Sequence, residues 1–102
     1  MILFKDYLGR NIRLTVNRLE HILTRLEMSG QEEKIAETLS APDKIKKSKH
    51  DPDVLLYYKL YKQTPVTKKY LSVIAKVENG EGFILTAFFT NKVKAGDTLW
   101  EK

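Results

Sequence analysis

The amino-acid sequence predicts an α+β fold in which two N-terminal helices pack on one face of an antiparallel β-sheet. Helical periodicity is confined to residues 1–41, whereas apolar and polar residues alternate as in strands from Lys44 onward. Asn79-Gly80 is the dipeptide of a tight hairpin turn. Helices followed by consecutive antiparallel strands are typical of α+β folds and not of doubly wound α/β folds. A chain of 102 residues has room for one hydrophobic core, so residues 1–102 are expected to form a single domain.

The first third of the chain predicts a small hairpin and two helices. Short apolar segments flank a turn-like stretch at residues 6–10, and Thr15 has the position of an N-cap for a helix over residues 16–27. The apolar residues of that helix fall into one stripe, which is expected to face the core: Val16, Leu19, Ile22, Leu23 and Leu26. Capping-box spacing begins at Ser29 and predicts a second, shorter helix.

The remaining two thirds predict strands over residues 54–62, 70–78, 83–90 and, more briefly, 98–100. Side chains alternate between the two faces of a strand, so each strand divides into two sets. The more apolar sets are expected to meet the helices: Val54, Leu56, Tyr58, Leu60; Leu71, Val73, Ala75, Val77; and Phe83, Leu85, Ala87, Phe89. The other sets would form an open face: Leu55, Tyr57, Lys59, Tyr61; Tyr70, Ser72, Ile74, Lys76; and Ile84, Thr86, Phe88, Thr90.

The positive charge of the chain is concentrated in its middle third. The formal net charge is +5, but residues 1–41 are balanced, with six basic and six acidic side chains. Residues 42–76 hold nine lysines and three aspartates, and residues 77–102 hold three lysines and four acids. A local surplus of lysine indicates either a solvated loop or a surface that attracts nucleic-acid phosphates. The second interpretation predicts salt-dependent RNA binding centred on residues 44–76.

The predicted open face mixes lysines, hydroxyls and aromatic rings, and this mixture suits RNA. Lysine attracts phosphate, hydroxyls bond to phosphate and sugar, and tyrosine or phenylalanine rings stack on unpaired bases. A water-exposed sheet face of ordinary composition is the alternative interpretation. The residues predicted to bind RNA are Arg25, Lys46, Lys47, Lys49, Tyr57, Tyr61, Ser72, Thr90 and Lys92.

Candidate catalytic residues can be sought among the same side chains. Metal-independent RNA cleavage needs a base for the ribose 2′-OH, an acid for the leaving oxygen and cations around the phosphate. Lys76 would lie on the open face beside Thr86, a position suited to holding a phosphate, and His21 would lie on the solvent side of the first helix. The chain has no cysteine and two histidines, so we expect neither a metal site nor a cofactor.

Several short segments, taken in their order and spacing, resemble a known nuclease family. They are Arg18-Leu19-Glu20-His21-Ile22-Leu23, Ser48-Lys49-His50-Asp51-Pro52, Tyr57-Tyr58-Lys59, Val73-Ile74-Ala75-Lys76-Val77, Gly82-Phe83-Ile84-Leu85-Thr86-Ala87 and Lys94-Ala95-Gly96-Asp97-Thr98-Leu99-Trp100. Together they extend over nearly the whole chain. They are similar to the phage-associated branch of the barnase, EndoU, colicin and RelE-like (BECR) nucleases.

The resemblance implies a BECR fold and a toxin-type, metal-independent endoribonuclease that leaves a cyclic phosphate. Its active site would combine a helix histidine with lysine and hydroxyl residues on the strands, and these roles fall on His21, Ser48, Lys59, Lys76 and Thr86. The chain departs from the family pattern at one point. Members of this branch often carry a second histidine near the end of the first helix, where Leu26 follows Arg25 in this chain.

Two other functions remain open at this level. One is a non-catalytic RNA-binding or toxin–antitoxin interaction domain that uses the same basic face, with RNA or an inhibitor protein as its partner. The other is a protein interface formed by the open face. No apolar run approaches the roughly 18 residues of a membrane span, and a charge follows the N-terminal apolar residues at Lys5, so we expect a cytoplasmic protein without membrane contact.

Overall fold

The computed structural model describes residues 1–65 and 68–102 of the chain, and these form a mixed α+β fold with a seven-stranded sheet. Between the strands lie two α-helices and one short 3-10 helix. In chain order the elements are β1 Ile2–Lys5, β2 Asn11–Leu14, α1 Val16–Leu23, the 3-10 helix Leu26–Met28, α2 Glu32–Ser40, β3 Lys44–Lys47, β4 Val54–Tyr61, β5 Lys69–Glu78, β6 Glu81–Thr90 and β7 Asp97–Glu101. The predicted α+β class is therefore confirmed.

The strands lie side by side in the order β1-β2-β6-β5-β4-β3-β7. All neighbouring strands are antiparallel except β2 and β6, which are parallel over a short register. The hairpin between β5 and β6 turns at Asn79 and Gly80, with φ values of 54° and 80°, as the sequence predicts. Because β6 and β7 are separated by three strands, residues 91–96 must cross one face of the sheet to connect them.

The first helix begins where predicted and ends early. The Thr15 side chain accepts a hydrogen bond from the amide of Arg18, which confirms the N-cap. The helix stops at Leu23, so the 100° step no longer applies beyond it. Of the predicted apolar stripe, Ile22 is buried and Leu19 packs against the core, but Val16, Leu23 and Leu26 are exposed, so the stripe is wrong at both ends. Leu26 is 87% exposed, and Met28 of the 3-10 helix is buried instead.

The second helix lacks the predicted capping box. Its N-cap is Gln31, whose side chain makes no capping hydrogen bond. Ser29 instead follows the 3-10 helix in an extended conformation, and Gly30 has a φ of 76°. These two residues turn the chain between the 3-10 helix and α2. The spacing between Ser29 and Glu32 therefore belongs to this turn and not to a capping box. Helix α2 contacts β5, β1 and β4, whereas α1 contacts β6.

The face of the sheet that meets the helices differs from the prediction on two strands. On β5, Leu71, Val73 and Ala75 are buried as expected. On β4 the assignment is inverted, because Leu55 pairs with Ala75 and Tyr57 pairs with Val73 on the helix face. Both sets of β4 are strongly apolar, so alternation alone could not decide between them.

A bulge accounts for the difference on β6. The register of β5 and β6 shifts between Ile74 and Ala75, so that Ile74 pairs with Thr86 and Ala75 pairs with Ile84. Ile84 is consequently buried in the core where Phe83 was expected, whereas Ala87 keeps its predicted place there.

A buried polar network joins the β1–β2 turn to the centre of the sheet. The Asp6 carboxylate accepts hydrogen bonds from the Tyr57 hydroxyl at 2.8 Å, from Arg10 Nε at 2.8 Å and from the amides of Leu8 and Arg10. Burial, together with the bond to Asp6, raises the pKa of the Tyr57 phenol. The phenol therefore remains a hydrogen-bond donor at any ordinary pH.

No helix within residues 1–65 and 68–102 is long and apolar enough to cross a lipid bilayer.

Candidate functional site

The connection from β6 to β7 lies across the sheet face opposite the helices, and we call this face the crossover face. The amide of Lys94 donates a hydrogen bond to the Tyr58 hydroxyl at 3.1 Å. Lys46 Nζ donates to Thr98 Oγ1 at 2.7 Å and to the carbonyl of Gly96 at 3.4 Å. These bonds hold residues 91–96 against the strands. Leu56 and Tyr58 are only 5% and 2% exposed, although they do not face the helices.

A groove of about 390 Å³ lies between residues 91–96 and the strands. We call it the crossover groove. The strands supply a mostly apolar floor, made by Leu56, Tyr58, Ile74 and Phe88. The crossing segment and the end of β6 supply a rim that carries amines and a hydroxyl, made by Thr90, Lys92, Val93, Lys94 and Ala95. An apolar floor with cations at its rim can hold a planar ring and neutralise an anion beside it.

A second, smaller cavity of about 50 Å³ adjoins the crossover groove. The two share Leu56, Lys94 and Ala95 in their linings. The remaining lining residues of the smaller cavity come from the end of β3 and the following turn: Lys47, Ser48, Lys49 and His50. The Ser48 hydroxyl accepts a hydrogen bond from the His50 amide at 3.2 Å, which shapes this turn. We call this smaller space the basic cavity.

Arg25 reaches the crossover face from the helical layer. Its Nη1 donates a hydrogen bond to Thr86 Oγ1 at 3.5 Å, and its guanidinium lies 5.6 Å from the centroid of the Phe88 ring. Thr86 pairs with Ile74, and both Ile74 and Phe88 belong to the floor of the crossover groove. A half-buried arginine therefore stands at the margin of the groove, next to a hydroxyl.

Lys76 lies on the crossover face but is already paired with acids. Its Nζ is 3.2 Å from Asp51 Oδ2 and 3.7 Å from Glu78 Oε1. The bond to Asp51 raises the pKa of Lys76 above its ordinary value, so this group is a cation and not a base at neutral pH. It lines a separate depression of about 270 Å³ with Arg13 and Glu81 near the β5–β6 hairpin.

Three predicted site residues lie on the helix face and not on the open face, so their predicted placement was wrong. Tyr57 is fully buried and bonds to Asp6. Lys59 Nζ donates to the carbonyl of Ala41 at 2.9 Å, and the Tyr61 hydroxyl donates to Glu37 Oε1 at 2.6 Å. All three errors have one cause, which is that the two faces of β4 were interchanged in the prediction.

The other predicted site residues divide into two groups. Seven of them line the two cavities or bond beside them: Arg25, Lys46, Lys47, Ser48, Lys49, Thr90 and Lys92. Ser72 is on the crossover face, but it is fully buried between Tyr58 and Phe88, and its hydroxyl has no partner among the described residues. His21 is exposed on α1, away from the residues that line either cavity.

The sequence prediction missed Tyr58, Phe88 and Lys94 as site residues. Phe88 and Ile74 belong to the predicted open face but not to the residues predicted to bind RNA. Tyr58 was predicted on the helix face because the two faces of β4 were interchanged. Lys94 could have been found from its place in a short segment that has to connect two distant strands, but the strand order was not predictable from local pattern.

Within residues 1–65 and 68–102, no three His, Asp or Glu side chains are grouped closely enough to hold a metal ion. No family model, curated protein or solved structure matches this chain.

Proposed function

We propose that the chain is an endoribonuclease-type domain of BECR fold, which binds unpaired RNA in the crossover groove and cleaves it without a metal ion. The observation that carries the proposal is the composition of the groove: the Phe88 ring lies in its floor with the Arg25 guanidinium 5.6 Å from the ring centroid, and Lys92 and Lys94 lie at its rim. Aromatic rings flanked by cations suit single-stranded nucleic acid, because bases stack on the rings while phosphates meet the charges.

The net charge of the chain supports an anionic partner. The protein carries +5, and the lysines of β3 and the following turn lie beside the cavities. Phosphate contacts of this kind release counterions, so affinity for RNA should fall steeply as salt is added. Lys46 contributes less than its position in the sequence suggests, because its amine is held by Thr98 and Gly96.

The proposed reaction is attack of a ribose 2′-OH on the adjacent phosphorus. A base removes the proton from the 2′-OH, the new O–P bond forms, the bond to the 5′-oxygen breaks, and an acid returns a proton to that leaving oxygen. The products are a 2′,3′-cyclic phosphate and a 5′-hydroxyl. Arg25 would stabilise the negative charge that builds up on the phosphate, with Thr86 orienting its guanidinium.

We assign one proton transfer to His50, which lines the basic cavity. Imidazole is the commonest general acid or base in enzymes. His21 is exposed on α1, away from the residues that line either cavity, and takes no part in the proposed reaction. His50→Ala should therefore lose cleavage while it retains RNA binding, and His21→Ala should cleave as fast as the parent protein.

Purified protein should be incubated with a single-stranded RNA and with a transfer RNA in excess EDTA, and the ends of the fragments should be analysed. The proposal predicts fragments that end in a 2′,3′-cyclic phosphate in spite of chelation. Binding without fragments favours the second candidate, a non-catalytic RNA-binding domain. Two observations favour that candidate: Lys76 is already neutralised by Asp51 and Glu78, and Leu26 stands where the resembling nucleases often have a histidine.

Replacing Lys76 with alanine should separate stability from activity. The removed ion pairs are partly exposed, so the free energy of unfolding should change little. If Lys76 contributes its charge to the transition state, cleavage should fall on the order of 100-fold. Lys62→Ala, at an exposed position beyond β4, is the matched control. A Lys76→Ala protein that cleaves as fast as this control would remove Lys76 from the site.

A further inference from the structure

The two adjoining cavities match the two parts of a nucleotide: the floor of one is largely apolar, as a base requires, and the other is lined by cationic residues, as a phosphate requires. The crossover groove is the larger and is floored by Leu56, Ile74 and Phe88, which offer apolar surface and a ring. The basic cavity is the smaller and is lined by Lys47, Lys49 and His50. Leu56, Lys94 and Ala95 line both, so a single ligand can occupy the two at once.

We propose that the two cavities form one nucleotide subsite, in which an unpaired base enters the crossover groove and the phosphate attached to it lies in the basic cavity. This inference rests on the proposed function and adds the placement of the phosphate and the joint use of the two cavities by one nucleotide. A base that is paired in a duplex is stacked inside the helix, so it cannot enter a groove that lies between the strands and residues 91–96. The subsite therefore requires a single strand or a base turned out of a loop.

Charge complementarity supports the placement of the phosphate. The described lining of the basic cavity includes two lysines and a histidine from one turn, a third lysine from the crossing segment and no carboxylate. The nearby acid Asp51 is held by Lys76, and Asp97 is exposed opposite Lys47 in the strand register. An anion in the basic cavity would thus meet mainly cationic donors.

The base and phosphate parts of the subsite can be tested by two substitutions at exposed positions. Ala95→Trp fills the shared rim of the two cavities, and Ala41→Trp, exposed at the end of α2, is its control. Lys49→Gln removes one cation of the basic cavity, and Lys62→Gln is its control. Thermal melting of all four variants shows whether the fold is retained.

The probes are three RNAs of equal length and charge in which every 2′-OH is methylated, so that they cannot be cleaved: a single strand, the same strand with abasic positions, and a fully paired stem. Affinity is measured over a range of salt concentrations. We expect the single strand to bind about tenfold more tightly than the other two, and Ala95→Trp to abolish that advantage. Lys49→Gln should lower the slope of log affinity against log salt by about one.

The outcomes separate this inference from the proposed function. The base subsite would be overturned if the three RNAs bind with equal, salt-dependent affinity and Ala95→Trp does not change it. RNA recognition through phosphates alone would then stand. A loss of base preference in Ala95→Trp with no effect of Lys49→Gln on the salt slope would overturn the placement of the phosphate. Absence of binding to every RNA would overturn the proposed function and this inference together.

Discussion

Replacing Asp6 with alanine is expected to lower the free energy of unfolding by about 3–5 kcal/mol, because it removes one partner of a buried ion pair. The Asp6 side chain is fully buried, and its carboxylate accepts bonds from Arg10 Nε at 2.8 Å and from the Tyr57 hydroxyl at 2.8 Å. Without the carboxylate, the guanidinium and the phenol lose their acceptor, and the β1–β2 turn loses its attachment to β4.

Urea denaturation followed by circular dichroism measures this effect. Glu20→Ala removes the same charge from an exposed position on α1 and should leave the midpoint nearly unchanged. Tyr57→Phe keeps the pair between Asp6 and Arg10 and should cost about 1.5–3 kcal/mol, the ordinary value of a hydrogen bond to a charged group. Equal midpoints for Asp6→Ala and Glu20→Ala would show that the network does not stabilise the fold.

Replacing Arg25 with alanine should lower the rate of RNA cleavage on the order of 100-fold or more and leave the fold intact. Arg25 is bonded to Thr86 and lies over Phe88 at the margin of the crossover groove, and in the proposal its guanidinium stabilises the charge that develops on the reacting phosphate. Arg25→Lys should restore only part of the rate, because an ammonium group keeps the charge but not the planar fork of donors. Single-turnover cleavage of a labelled RNA gives the rates.

The control for Arg25 is Arg18→Ala, at an exposed position on α1. Both variants lose one positive charge from the same part of the chain, so a general electrostatic effect on RNA binding would appear in both. A specific role for Arg25 requires that its variant alone loses rate at saturating RNA. If the two variants cleave equally fast, the assignment of Arg25 to the reacting phosphate is wrong.

Much of the fold was predictable because its signals are local. The N-cap at Thr15, the hairpin at Asn79 and Gly80, and the core set of β5 depend on residues that are neighbours in sequence, and all three are confirmed. Helix α1 ends at Leu23, and Leu26 is exposed. The apolar periodicity of the sequence could not reveal this early end, because a 3-10 turn follows and turns the side chains by a different angle per residue.

The face assignment of β4 could not be obtained from its own pattern. Leu55 and Tyr57 face the helices, and Leu56 and Tyr58 lie under residues 91–96, so both faces of this strand are buried. A strand buried on both faces has no polar set to indicate which side is which. The bulge opposite Ile74 had no local signal either, because it depends on how β6 pairs.

The positive charge of the candidate site could be predicted from the sequence, but the shape of its two cavities could not. The lysines around Ser48 stand out from the segment count alone, and they do lie together at the basic cavity. The groove beside them exists because β7 pairs with β3 at the far edge of the sheet, which sends the connection from β6 across the strands. That pairing joins strands that are far apart in the sequence, and no sequence motif predicts it.

Binding of RNA in the crossover groove can be followed by an NMR titration of the 11.8 kDa protein with a 2′-O-methylated single-stranded RNA. We predict that backbone amide shifts will concentrate at Leu56, Ile74, Phe88 and Ala95 and at the turn that contains Lys49. Shifts confined to α2 and the β1–β2 hairpin, with none at these positions, would show that RNA does not bind in the crossover groove.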